Sequence, residues 1–198
     1  MIEAYIRPTY QRLLVTPCAH RLHNKLSANQ ATIAATISGI LVIPLLLLHL
    51  PWAAAITLLL SGYFDTLDGT LARLHNNSTP LGTMLDITSD RIVEASIVIG
   101  LYLVAPAQRA GLSLFMLTSI LICVTTFLVA GIFAENSSNK SFHYSPGLIE
   151  RPEAFAFFIA MMLLPHYFTP LAIMFSLLVL FTAYWRVHQF YTAHAKCN

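Results

Sequence analysis

Long apolar stretches occupy most of this chain, and they constrain its fold more than any other feature. They lie at 31–50, from 53 up to Asp65, at 92–107, 111–133, 154–168 and 170–185. A helix needs about 20 apolar residues to cross the hydrocarbon core of a bilayer. Lipid offers the backbone no hydrogen-bond partner, so open spans of this kind must be helices. The pattern predicts an all-α polytopic membrane protein with six transmembrane helices. Composition agrees: 57% of the residues are hydrophobic and only 10% charged, against about 25% charged in soluble domains. That deficit excludes a disordered chain, a nucleic-acid binder and a disulfide-stapled secreted scaffold. Cys18, Cys123 and Cys197 are widely spaced, which reads as free thiols rather than a disulfide frame or a zinc site.

Six spans put both termini on one side. That side would hold Arg7, Arg12, Arg21, Lys25, Arg73, Arg91, Lys140, Arg151, Arg186 and Lys196, and the opposite loops only Arg109. Lys and Arg concentrate on the cytoplasmic face, so both termini are expected in the cytoplasm. Residues 1–30 form a cytoplasmic N-terminal segment, 31–186 the transmembrane domain and 187–198 a cytoplasmic tail. The first segment lacks the pattern of a secretory signal. It mixes Ile2, Tyr5, Ile6, Leu13, Leu14 and Val15 with Arg7 and Arg12, the composition of an amphipathic helix lying in the interface.

The acids are unevenly placed. Four of the nine are Asp65, Asp68, Asp86 and Asp90, on either side of one turn between the second and third spans. Spacings of three and four put each pair on one helix face. Counted from the start of the second span, Asp65 lies about 20 Å along it at 1.5 Å per residue, within the inner leaflet. Four carboxylates in so poor a dielectric raise one another's cost of ionisation, and divalent cations relieve it. Carboxylate oxygens are the ligands Mg²⁺ and Mn²⁺ prefer, and two such ions can clamp a phosphate. Gly69 and Ala72 leave room for a flat ligand against the backbone, Arg73 offers a planar donor fork, and Gly82 lets the third helix approach the second. Acids at membrane depth also mark ion pathways, so a cation transporter is the alternative reading.

The run Asp65 to Asp90 resembles the signature of the CDP-alcohol phosphotransferase family, D-x2-D-G-x2-A-R-x8-G-x3-D-x3-D, with all eight fixed positions matched. The resemblance implies a phospholipid-synthesising enzyme of the bacterial inner membrane, with its active site on the cytoplasmic side. Such an enzyme moves a phosphatidyl group from CDP-diacylglycerol to a small alcohol and releases CMP. It further implies two divalent cations, Mg²⁺ or Mn²⁺, on Asp65, Asp68 and Asp86, with Asp90 as general base and ligand of the second ion. Gly69, Ala72, Arg73 and Thr79 would contact the CDP moiety. Ser27-Ala28-Asn29-Gln30-Ala31-Thr32 resembles the family's T-P-N-x-x-T, which adds Asn29, Gln30 and Thr32; Ala28 stands where the family has proline. A homodimer is expected from the resemblance alone.

Asp90-Arg91-Ile92 and the run from Gly147 to Glu153 resemble the phosphatidylinositol-phosphate synthase branch. Arg91 and Arg151 are then candidates for holding an acceptor phosphate, although Arg151 also has Glu150 and Glu153 as potential partners. One feature points away: the end of the fourth span, 130–135, carries no basic residue. Inositol phosphate, glycerol 3-phosphate and a neutral polyol all remain open as acceptors. Eight histidines show no metal-ligand spacing; His75 is the one within reach of the motif. Tyr184, Trp185, Phe190 and Tyr191 read as an interfacial aromatic belt. The polar loop 135–146 is a candidate cover for the site.

Overall fold

The computed structural model describes residues 10–75, 79–134 and 149–194. The loop 135–146 and the first nine residues lie outside them. All regular structure among the described residues is helical. A π-helical turn, Gln11–Val15, leads into α1, Thr16–Leu22. The first apolar stretch is two helices, α2 Ala28–Ile40 and α3 Val42–Leu47. Then follow α4 Pro51–Leu74, α5 Pro80–Val104, α6 Pro106–Ala134, α7 Arg151–Leu163 and α8 Phe168–His194, with a 3₁₀ turn Pro165–Tyr167 before the last.

Local chemistry sets these boundaries. Ser27 and Gln30 form a reciprocal capping box that starts α2, and Glu150 with Glu153 does the same for α7. Pro44 has no N–H and crowds the carbonyl four residues back, so the helix breaks at Leu41. His49 closes α3 at a positive φ of 57°. Its N–H donates to Leu46 and that of Leu50 to Leu45, the paired bonds of a Schellman motif with histidine in the place usual for glycine. Pro51, Pro80, Pro106 and Pro152 each occupy a helix's first turn, where the missing donor costs nothing.

Three segments are long and apolar enough to cross a membrane by composition, Ala28–Leu47, Pro106–Phe133 and Pro165–Thr192. The chain is thus an integral membrane protein. α4 and α5 carry the acids and α7 has only 13 residues, so hydropathy alone does not mark them. Three expected boundaries shift. α5 begins at Pro80, twelve residues before the apolar run at 92, and so includes Asp86 and Asp90. α7 stops at Leu163, before Pro165. α8 continues through most of the expected tail.

α2 lies along both α4 and α5, α6 lies along α8, and α7 sits between α4 and α8. The first group meets through small residues, as helices in lipid do. A Cβ on Gly39 would lie 2.5 Å from Val93 Cγ2, and one on Gly100 would lie 3.4 Å from the Ile43 backbone. Ser61 donates to the Ala35 carbonyl at 2.8 Å. Larger side chains fill the second group, where Phe158, Met161 and Phe175 are buried and the rings of Phe158 and Phe175 lie 5.1 Å apart. Arg109, expected in an outer loop, is 7% exposed. Its guanidinium donates to the Leu101 carbonyl at 2.9 Å and stacks 4.4 Å over Phe168, tying α5, α6 and α8 together.

Candidate active site

One turn separates Asp65 from Asp68 on α4, and another separates Asp86 from Asp90 on α5. Carboxylate oxygens of Asp65, Asp68 and Asp86 all lie within 4.8 Å of one another, a grouping that fits a hard divalent cation. Asp68 is 5% exposed, and the Thr32 hydroxyl donates to its Oδ2 at 2.6 Å. Thr36 and Ser89 share a hydrogen bond, and Thr36 donates to the Thr32 carbonyl at 2.9 Å. This polar column joins α2 to both acid-bearing helices and holds Asp68 toward the cluster. Asp90 stands apart. Its Oδ1 pairs with Arg151 Nη1 at 2.7 Å, and the same nitrogen pairs with Asp65. Glu150 and Glu153 cap α7 while Arg151 between them bridges the two acid-bearing helices.

Two clefts open on the cluster. The smaller, about 110 Å³, is lined by Asn29, Thr32, Gly69, Ala72, Thr79 and Gly82, with Asp68 and Asp86 at its base. A Cβ on Gly69 would meet no neighbour nearer than Arg73 Nη1 at 3.8 Å, so this glycine keeps cleft space open rather than allowing a helix contact. Gly82 differs from its expected role: its Cβ would face Thr79 and Asn29, not the second span. Thr79 also caps α5, accepting from the Gly82 N–H at 3.0 Å. Gln30 is turned to its capping box and lines only an outer cavity of about 440 Å³ that also holds His23 and His75. The larger cleft, about 640 Å³, runs between α4 and α7. Tyr10, Asp65, Asp86, Arg73 and Arg151 form its polar wall, and Leu59, Phe155 and Ile159 its apolar wall. Burial pushes the Tyr10 phenol above its ordinary pKa, so it is a neutral donor there.

A family model described as CDP-alcohol phosphatidyltransferase matches residues 25–194. The chain belongs to this family. The inner membrane protein YnjF of Escherichia coli is 30% identical over 199 residues, covering 96% of each chain. A phosphatidylinositol phosphate synthase of Corynebacterium glutamicum is 33% identical over 153 residues, covering 72% of this chain and 65% of the synthase. The match thus spans just under two thirds of that relative. Two crystal structures of the Mycobacterium tuberculosis phosphatidylinositol phosphate synthase are similar. The complex with manganese and citrate gives a TM-score of 0.73 at 23% identity and 90% coverage of both chains. The form with CDP-DAG bound gives 0.69 at 25%, covering 90% and 94%. The first of these likenesses concerns the fold alone.

This CDP-alcohol phosphatidyltransferase has a further cavity, about 180 Å³, beside Asp90. Asp90 is the one motif acid that lines it. Arg91, Arg151 and Arg186 line it too, with Glu94 and Cys123. Arg91 pairs with Glu94 at 2.7 Å. Arg186 donates to the Cys123 carbonyl at 3.1 Å and lies 5.1 Å over the Phe127 ring; among the described residues it pairs with no carboxylate. Sequence reasoning missed Arg186, taking it as one more cytoplasmic charge at the end of a span. The available signal was a cation inside an otherwise apolar helix, which by itself marks a functional position. Arg186 thus reaches from α8 across to α6, next to the uncharged stretch that ends the fourth span.

Proposed function

We propose that this enzyme transfers the phosphatidyl group of CDP-diacylglycerol to a hydroxyl of a phosphorylated polyol, of the inositol phosphate or glycerol 3-phosphate type, releasing CMP. The observation that carries this reading is the cavity in which Asp90 meets Arg91, Arg151 and Arg186. Guanidinium forks recognise phosphate oxygens, and a neutral polyol has no use for three of them. The relatives named phosphatidylinositol phosphate synthase support it. The apolar wall of the cleft between α4 and α7 suits the acyl chains of the donor, and the cleft with Gly69, Ala72 and Thr79 suits its nucleotide.

Asp65, Asp68 and Asp86 would hold the first divalent cation, Mg²⁺ or Mn²⁺, and Asp90 would join the second as its Arg151 pair gives way. Bound there, such ions neutralise the pyrophosphate and the departing CMP. Arg73 steadies the pyrophosphate from one side. On the other, Arg91, Arg151 and Arg186 hold the acceptor phosphate and bring a hydroxyl to Asp90. The carboxylate takes the hydroxyl proton as that oxygen bonds to the phosphorus bearing the lipid. The bond from that phosphorus to the CMP oxygen breaks. A carboxylate is a weak base, so alignment supplies much of the rate.

The Lys and Arg distribution supports cytoplasmic termini and cleft mouths, with all six helical segments crossing the inner membrane and the N-terminal helix in its interface. A homodimer is the expected assembly. The test is CMP release by purified protein with CDP-diacylglycerol and Mn²⁺ or Mg²⁺, offered inositol phosphate, glycerol 3-phosphate, inositol or glycerol. A phosphorylated acceptor is expected to release CMP above an Asp90→Asn control. Equal or better turnover of an unphosphorylated polyol would overturn the acceptor reading. Metal-ion flux into liposomes without any CMP release would restore the transporter.

A further inference from the structure

The N-terminal helix does more than lie beside the bundle. Val15 and Ala19 are fully buried against Leu67 and Leu71, residues one turn apart on the motif helix, so its register on α4 is set. That docking brings Gln11 to Thr70, a motif position the family signature leaves unspecified. Thr70 is 6% exposed. Its hydroxyl donates to the Thr66 carbonyl at 2.9 Å, accepts from Arg73 Nη2 at 3.1 Å and accepts from Gln11 Nε2 at 3.4 Å. One donor and two acceptor sites are all a hydroxyl has, and here all are used. The other terminal nitrogen, Arg73 Nη1, stands over Gly69 in the large cleft.

We propose that Thr70 and Gln11 are positioning residues for Arg73. Thr70 clamps one end of the guanidinium so that the other faces the donor pyrophosphate, and Gln11 makes that clamp depend on the docked N-terminal helix. The proposal rests on the reading of Arg73 as a donor contact. A free arginine side chain samples many rotamers, and ordering it before the ligand arrives lowers the cost of binding.

The test uses the full chain in detergent and two probes, CDP-diacylglycerol and Mn²⁺ alone, with binding of each measured at equilibrium. Thr70→Val is expected to weaken CDP-diacylglycerol binding about tenfold, the scale of a hydrogen bond to a charged group. Mn²⁺ affinity and the thermal midpoint should stay near wild type, and Thr70→Ser should restore donor binding. Gln11→Leu should weaken it about threefold, and should add nothing to Thr70→Val, because Gln11 acts only through that hydroxyl. Arg73→Ala is the benchmark. If it weakens donor binding while Thr70→Val does not, the positioning role is wrong and the donor reading stands. If Arg73→Ala has no effect, the donor reading of Arg73 fails first. Full additivity of the two substitutions, or loss of Mn²⁺ affinity with donor affinity, would also overturn the proposal.

Discussion

The carboxylate cluster divides the protein into two unlike sides. On one side α2, α4 and α5 meet through glycine, alanine and serine, and the small cleft between them is lined by short side chains. On the other, α5 to α8 meet through phenylalanine and methionine, and the cavity is lined by arginines that each need a counter-charge or a carbonyl. The small-residue side leaves about 110 Å³ between its helices, open to the backbone at Gly69. The arginine side encloses about 180 Å³ and concentrates positive charge. On the proposed reading the difference teaches that donor and acceptor would be met by unlike surfaces, short side chains and backbone for one and guanidinium groups for the other.

The largest test of that division is Asp90→Asn. It is expected to lower turnover about 10² to 10⁴-fold, the scale of general-base loss, with CDP-diacylglycerol binding reduced far less. Asp68→Asn breaks the symmetry in the other sense: Mn²⁺ binding, donor binding and turnover should all fall, because Asp68 belongs to the carboxylate group that fits a metal ion and lines both clefts on it.

Arg186→Gln should raise the KM for a phosphorylated acceptor about tenfold to a hundredfold and leave the donor KM unchanged. An equal change in both would dissolve the two-sided picture. Gly69→Ala is the mirror experiment. Its Cβ meets nothing closer than 3.8 Å, so the thermal midpoint should hold while the donor KM rises about tenfold. Gly39→Ala separates packing from ligand space. Its Cβ collides with Val93, so it should cost about 1–3 kcal/mol of stability, read as a fall in the thermal midpoint and relieved by Val93→Ala. The smallest expected change is Ser27→Ala, which removes the cap of α2 and costs about 1 kcal/mol.

Legibility followed the same divide. The donor side was readable because its parts are near in sequence. Asp65, Asp68, Gly69, Ala72 and Arg73 share one helix, so their spacing is already their geometry. The apolar runs marked six helical segments, but the third run starts only at Ile92; the spacing of Asp86 and Asp90 put them on a helix face without fixing its start at Pro80. Thr32 was expected at the nucleotide; it lines that cleft but spends its hydroxyl on Asp68, a partner 36 residues away. Arg151 was expected at an acceptor phosphate or on its neighbouring glutamates, and its pairing with Asp65 and Asp90 across two helices was not foreseen. Nothing in the order of residues connects Arg186 to Cys123 or to Asp90.

By itself, then, the sequence determined an all-helical membrane chain, the reaction family and the acids whose grouping fits a metal ion, because helix geometry converts short spacings into shared faces without reference to anything else. Only the tertiary structure decided which arginines meet Asp90, which hydroxyl steadies Arg73 and that Arg109 is an internal tie. Those contacts join helices far apart in the chain, and packing, not spacing, chooses which of them touch.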